Sequence, residues 1–356
     1  MKAALISLGS ISSRWTAEAM RERFETVDEL ELGKMEINLG AKKEARLLYD
    51  GKGMQSYDCV YAKGSYRYAA LLRAITTFLE DSTYMPIDDN AYTLVHNKLL
   101  THLVLQRSEI PMPITYMTTT ASAAKKLLEK VNYPIVMKFP EGTQGKGVMF
   151  AESYSSAVSL FDALQTLRQP FIIQEYIETG GTDIRAIVVG EKVVAAMQRK
   201  AVRGEKRANI HAGALGESLE LDTFSKKLAI KAAKALSTEI CGVDMLMGPK
   251  GPTVIELNIS PGLQGIKKVT GIDVAKHIAK HLYKRTCEHK DKDIKDQKTR
   301  MMDDLGLGEA KDILTNIDLR GNRILLPGFV TDLVRFSEDD EVVVRAEKGR
   351  ILIEKV

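Results

Sequence analysis

Residues 242–258, Gly-Val-Asp-Met-Leu-Met-Gly-Pro-Lys-Gly-Pro-Thr-Val-Ile-Glu-Leu-Asn, read as a β-hairpin whose register sets two carboxylates against each other. Gly248-Pro249-Lys250-Gly251 has Pro second and Gly last, the order of a type I turn closed by a left-handed glycine in a three-residue loop. With Gly248 facing Pro252, Asp244 falls opposite Glu256. Asn258, two residues on, shares their face because side chains alternate along a strand. Like charges directly opposite destabilise a sheet, so a positive group belongs between them. An all-oxygen set of Asp244, Glu256 and Asn258 suits a hard divalent cation, magnesium or manganese. A polar, solvated face in another register is the alternative reading of the same residues.

At 356 residues the chain exceeds one domain of about 150 residues. The 51 Lys and Arg nearly balance the 47 Asp and Glu, which leaves no global basic field for nucleic acid. The first residues are too short an apolar run for a secretory signal, and no stretch approaches about 18 apolar residues, so a cytoplasmic protein is expected. Cys59, Cys241 and Cys287 lie too far apart for a Cys-x-x-Cys site and read as buried or inert thiols.

Residues 3–8 form an apolar run ending at Gly9-Ser10, followed by an amphipathic stretch with Trp15, Ala19 and Met20 on one side. A second run, 59–62, reaches Lys63-Gly64-Ser65 and then a helical pattern through Tyr68, Leu71, Leu72, Ile75 and Leu79. This alternation predicts a parallel sheet in an α/β domain over residues 1–90. From Ile114 onward the runs 134–139, 148–150, 171–177, 184–189 and 193–197 are short and β-rich. Helical patterns intervene only near 121–131, 155–167 and 223–237. Antiparallel sheets backed by helices follow, an α+β domain over 91–285 that closes on a helix at 273–285. The mixed-charge run 288–300 is too polar to bury, so 286–312 reads as a charged linker or solvated helix. Residues 313–356 return to β pattern, with strands 341–346 and 350–356 around Glu347-Lys348-Gly349.

Lys138 lies inside an apolar strand, and a buried lysine needs a partner. The loop after it, 141–147, carries Gly142, Gly145 and Gly147, which permit close backbone approach, so its amides and Lys138 suit phosphates. A flexible hairpin with a snorkelling lysine is the plainer alternative. The strand 171–177 turns polar at its end, where backbone groups fit a purine edge and Asp183 a ribose. Arg199, Lys200, Arg207 and Asn209 cluster cations in the next segment, which suits a polyphosphate or, isolated, a solvated loop. His277 and His281 are spaced for a metal but flank an ordinary apolar stripe without a third ligand nearby.

In order and spacing these motifs resemble the RimK-type ATP-grasp ligases. The likeness runs through Asn97-Lys98, Lys138 with the loop 141–147, Gln174-Glu175-Tyr176-Ile177, Gly181-Thr182-Asp183-Ile184-Arg185, Arg207-Ala208-Asn209, Gly242-Val243-Asp244 and residues 256–263, covering about residues 1–285. It implies an ATP-grasp fold, in which a parallel-sheet domain precedes two α+β subdomains that clamp ATP. By the same resemblance Lys98 and Lys138 contact ATP phosphates, Glu175, Tyr176 and Ile177 the adenine, Asp183 the ribose, and Arg207 and Asn209 the phosphate end. Asp244, Glu256 and Asn258 would ligate magnesium. Ala208 and Ile259 stand where the family usually has Ser, which bears on the choice of acceptor.

The implied chemistry is carboxylate–amine ligation through an acyl phosphate, with Arg199 or Arg207 stabilising the tetrahedral intermediate. The family's amine donor is commonly glutamate. Its acceptors include protein C-termini, such as that of a ribosomal protein, deazaflavin or pterin coenzymes and amino-acid biosynthetic intermediates. A nucleotide-sensing DNA-binding regulator is the rival, disfavoured because binding alone requires no metal ligands at the terminal phosphate. Residues 321–327 and the 340–354 strands resemble the swapped hairpin of AbrB-like regulators, a dimer because one hairpin cannot bury its face alone. Residues 313–356 carry seven basic and eight acidic side chains, a net charge of −1 that favours homo-oligomerisation over DNA contact.

Overall fold

The computed structural model describes residues 1–355 apart from 41–45, 80–82, 119, 143–146, 202–214, 305–317, 322, 327–333 and 335–339, and apart from the side chains of 215, 293–304 and 318. It divides into two units, residues 1–295 and 296–356.

The first unit opens on β1 (Lys2–Ser7), α1 (Ile11–Arg21) and β2 (Thr26–Glu31), with β1 held parallel between β2 and a later strand. A central parallel strand is covered on both sides, which is why residues 3–6 are all apolar and fully buried. Ser10 caps α1, its side chain accepting from the Ser13 amide. Next comes a small antiparallel sheet, β3 (Met35–Asn38), β4 (Arg46–Tyr49) and β5 (Lys52–Gly53), whose strands are too short to carry a readable periodicity. β6 (Cys59–Ala62) completes the parallel sheet, followed by α2 (Ala69–Leu79), α3 (Asp89–His96) and α4 (Lys98–Arg107). Asn97 separates α3 from α4 by accepting the amides of Leu99 and Leu100, which fixes Lys98 at the first helical position.

A four-stranded antiparallel sheet follows: β7 (Thr115–Tyr116), then α5 (Ala121–Leu128), β8 (Ile135–Lys138), β9 (Val148–Ala151), α6 (Tyr154–Thr166) and β10 (Ile172–Glu175), in the order β7-β10-β8-β9. Leu128, Met137, Phe161 and Ile173 belong to its own small core. The third sheet has five strands: β11 (Thr182–Val189), β12 (Lys192–Lys200), β13 (Leu215–Ser218), and, after α7 (Thr223–Ala235), β14 (Ile240–Gly248) and β15 (Gly251–Asn258), ordered β13-β12-β11-β14-β15. α8 (Gln264–Thr270) and α9 (Val274–Asp304) come after it. Its core is continuous with that of the parallel sheet.

The 242–258 hairpin forms with Asp244 opposite Glu256, but by a different route. Gly248 pairs with Gly251 across a two-residue turn, not with Pro252. A β-bulge between Asp244 and Met245 then admits the extra residue Ile255 and restores the opposition.

The segment near residue 86 crosses onto the third sheet. Ile87 bridges Thr238, and the Glu239 amide donates to the Pro86 carbonyl. The Glu239 carboxylate accepts from Tyr84 Oη at 2.7 Å and from Arg285 Nη2 at 3.0 Å, and meets His281 Nε2 at 2.6 Å. His281 is therefore a latch to Glu239. Burial pushes the Glu239 carboxyl up, yet the bonds from His281, Arg285 and Tyr84 outweigh it and hold the group down to about 2. A depressed carboxylate contributes stability above its ordinary value and loses it as pH falls toward its folded value. Glu239→Gln should thus cost about 2 kcal/mol at neutral pH. In thermal melts, the gap to wild type should close between pH 4.5 and 2.

Helix α9 runs past 285 to Asp304, through the segment read as a linker. Glu288 pairs with Lys284 and Arg285 one turn back, which supports a solvated helix there. Cys59 and Cys241 are free and buried. Among its described residues the second unit has two hairpins, β16 (Asp318–Arg320) with β17 (Arg323–Leu325) and β18 (Val342–Glu347) with β19 (Arg350–Lys355). No helix among the described residues is long and apolar enough to cross a membrane.

Candidate active site

A cavity of about 820 Å³ opens between the four-stranded and five-stranded sheets and the C-terminal ends of the parallel strands. That volume suits a nucleotide-sized ligand.

One wall is built by the register of the large sheet. Asp183 on β11 faces Arg199 on β12, Arg185 faces Asp244 on β14, and Asp244 faces Glu256 on β15. The face therefore pairs opposite charges from β12 to β14 and ends with two carboxylates facing each other. Arg185 grips Asp244 through Nε at 2.7 Å and Nη2 at 2.6 Å, and Arg199 Nη2 lies 3.0 Å from the same carboxylate. Arg199 also donates to both oxygens of Asp183. Burial alone would raise the Asp244 carboxyl, but Arg185 and Arg199 overcome it and hold the group well below the usual carboxylate range.

The positive charge that the facing carboxylates require is thus supplied on Asp244 by two arginines, where sequence reasoning assigned it to a cation alone. Glu256 differs. Its carboxylate has no hydrogen bond or ion pair with a described residue, and burial, reinforced by the charge of Asp244, raises it against Lys98, Lys138 and Arg185. Asn258 Oδ1 accepts from the Ser260 amide at 2.9 Å and keeps a second lone pair. Among the described residues, no three His, Cys, Asp or Glu side chains converge as a metal group. The donor set that remains is Glu256 and the Asn258 amide oxygen, with Asp244 behind them, and an orphaned carboxylate in an oxygen-lined wall fits a hard cation.

The opposite wall comes from β8 and β10. Lys138 Nζ donates to Gln174 Oε1 at 2.6 Å, and Gln174 Nε2 donates to Thr115 Oγ1 at 2.9 Å. His102 completes the chain, with Nδ1 near Thr115 and Gln174 and Nε2 3.0 Å from the Ile255 carbonyl. A carbonyl only accepts, so Nε2 carries the proton. Burial lowers His102 to about 4, which keeps the ring neutral. Lys138 is also lowered by burial, to about 8, with Glu256 pulling it up and Lys98 down. Lys98 Nζ donates to the Gly142 carbonyl at 3.1 Å. Gly147 holds φ +79, and a Cβ there would fall onto the Phe139 ring.

Toward the outer end, Glu175 accepts the Ile114 amide at 3.0 Å, and Tyr176 meets Phe150 edge-on. With Ile177, Val136, Val148 and Leu246 they line an apolar slot of the same cavity.

The structure thus brings Lys98, Lys138, Gly142, Glu175, Tyr176, Ile177, Asp183, Arg199, Asp244, Glu256 and Asn258 to one cavity. Arg207, Asn209 and Gly145 lie outside the described residues. Sequence reasoning gave no role to Arg185, Gln174 or His102. The signal for Arg185 was its place two residues after Asp183, on the same face of the strand.

The profile of the RimK-like ATP-grasp domain matches residues 95–282. A protein of Thioalkalivibrio sulfidiphilus named "Probable alpha-L-glutamate ligase" is 35% identical over 295 residues, covering 82% of this chain and 98% of its own. The chain belongs to the RimK-like ATP-grasp family and is an ATP-grasp ligase. Among solved structures, the RimK domain ATP-grasp protein of Sphaerobacter thermophilus matches with a TM-score of 0.63 at 18% identity, covering 79% of this chain and 99% of that one. The ATP-grasp ligase PsnB, complexed with minimal precursor, Mg and ADP, matches with a TM-score of 0.61 at 18% identity, over 80% and 98%. These two likenesses concern the fold.

Proposed function

We propose that the protein joins L-glutamate to a carboxylate acceptor, with ATP and magnesium, through an acyl phosphate. The observation that carries this is one cavity holding, in sequence, an apolar slot, two unneutralised lysines and a wall of acidic and amide oxygens. The 35% identity to a relative named as a glutamate ligase supports glutamate as the amine donor.

The slot beside Glu175, Tyr176 and Ile177 receives the adenine, and Asp183, steadied by Arg199, faces the ribose. Lys98 and Lys138 draw the phosphates between the two sheets, helped by the amides of the loop that begins at Gly142. Glu256 and Asn258, backed by Asp244, would hold magnesium, which when bound neutralises charge on the transferring phosphoryl group. The acceptor carboxylate attacks the terminal phosphorus and ADP leaves. The glutamate amine then attacks the acyl carbon, and phosphate leaves through a tetrahedral intermediate. Arg199 has Nε and Nη2 committed to carboxylates, so its role is to position Asp183 and Asp244. The oxyanion role falls to Arg207. Assays of ADP release with glutamate and candidate acceptors test the reading. Release that ignores both substrates counts against it.

The hairpin β18–β19 leaves Val344 58% and Ile351 52% exposed, which supports self-association through the second unit. Sedimentation of the full chain and of the Val344→Lys/Ile351→Lys variant checks it, with dissociation expected for the variant. An unchanged oligomer would refute it.

A further inference from the structure

Beyond the nucleotide region, the cavity extends to a corner where four elements converge: the end of β6, the start of α1, the end of α3 and the loop from β15 to α8. Lys63, the residue after β6, lines this corner with a side chain only 5% exposed. Its ammonium makes no hydrogen bond or ion pair with a described residue, and its one recorded contact is the Tyr61 ring, 5.6 Å from the centroid. The backbone beneath is rigid. The Lys63 amide donates to the Ile6 carbonyl, and a Cβ on Gly64 would lie 2.9 Å from Leu32 and 3.0 Å from Leu72.

Two polar atoms lining the same corner, His96 Nε2 at the end of α3 and Ser260 Oγ after β15, are buried without a partner among the described residues. Buried polar groups are normally satisfied, so two unsatisfied atoms beside a buried lysine that has no ion pair point to a ligand that completes them. Its charge follows from theirs. A buried cation calls for an anion, and the amides at the N-terminus of α1 favour the same sign. Ser12 ties that terminus to the β15–α8 loop, accepting from the Leu263 amide at 2.8 Å and donating to Gln264 Oε1 at 3.3 Å. His96 is two residues before Lys98, and Ser260 two after Asn258, so the corner adjoins the end of the cavity assigned above to the terminal phosphate.

We propose that Lys63, with the N-terminus of α1, binds the α-carboxylate of the glutamate substrate, while Ser260 and His96 face its polar remainder. This rests on the ligase reading and locates its amino-acid subsite. The α-carboxylate does not react. Its capture orients the amine toward the acyl phosphate, and an amino acid lacking a free α-carboxylate is excluded.

The test is calorimetric binding to the full chain in magnesium and a non-hydrolysable ATP analogue, with L-glutamate and its α-amide as titrants. Wild type should bind glutamate at least about 30-fold more tightly than the α-amide, the scale of a lost charge-assisted hydrogen bond in a dry site. Lys63→Met should bind the two alike and the ATP analogue as wild type does, and Lys63→Arg should restore the preference. Equal glutamate affinity in Lys63→Met and wild type overturns the subsite alone. Should Lys63→Met fail to fold, a wild type that does not distinguish glutamate from the α-amide overturns it equally. A wild type that binds the analogue but no glutamate overturns both the subsite and the donor assignment, and one that binds neither overturns the ligase reading itself.

Discussion

Lys138→Met should cut ATP turnover by about 100-fold or more while leaving thermal stability unchanged or higher. Lys138 is an interior cation whose nearest recorded partner is the neutral amide of Gln174, and burial already lowers it to about 8. No described carboxylate forms an ion pair with it. Its desolvation is therefore poorly compensated by the protein's own groups and is offset when phosphates bind. Methionine keeps the unbranched stem and removes the charge. A coupled ADP-release assay read beside a melting curve checks both halves. Turnover near wild type, or a marked loss of stability, would show that Lys138 serves the fold instead.

Asp244→Asn should do the reverse to the fold, costing about 3–5 kcal/mol, because it strips a full charge from the carboxylate that holds two guanidinium groups. Asp244 is 2% exposed and Arg199 4%, so Arg199 finds no water in exchange, while Arg185, its side chain 17% exposed, is only partly compensated. For a unit of this size the loss corresponds to a fall in melting temperature of roughly 10 °C. Turnover should fall as well, since Asp183 and Glu256 are placed through the same row. Melting of the variant within about 2 °C of wild type would mean that the arginines are satisfied elsewhere.

These two side chains also show what the sequence discloses. Asp244 opposite Glu256 is read from the Gly-Pro-Lys-Gly turn and strand alternation, with Gly248 set against Pro252 and another register left open. The actual means is not legible: a two-residue turn compensated by a bulge at Ile255 has the same outcome as a three-residue loop, and bulges leave little mark in composition. Arginine as the counter-charge was hidden because Arg185 reaches Asp244 from a strand 59 residues earlier in sequence. Lys138 was legible as a buried lysine in an apolar strand, whereas Gln174 and His102 behind it read as ordinary residues of their elements.

The parallel sheet followed from its apolar strands, and the small sheet β3-β4-β5 did not, because short strands such as Met-Glu-Ile-Asn carry too few alternations. Lys63 follows an apolar run, and nothing in that pattern marks it as buried. Only the packing of Leu32 and Leu72 against Gly64, and the corner beyond it, reveals a buried cation.

Glutamate transfer in this cavity is coupled, on the proposed mechanism, to ATP cleavage between the β and γ phosphates. The direct measurement is mass spectrometry of a cell extract incubated with the protein, magnesium, ATP and isotope-labelled L-glutamate, with nucleotide products quantified in parallel. A peptide or metabolite should gain a labelled glutamyl group only when ATP is present, with ADP and phosphate formed in equal amount. Release of AMP and pyrophosphate, or consumption of ATP with the label left entirely as free glutamate, would contradict it.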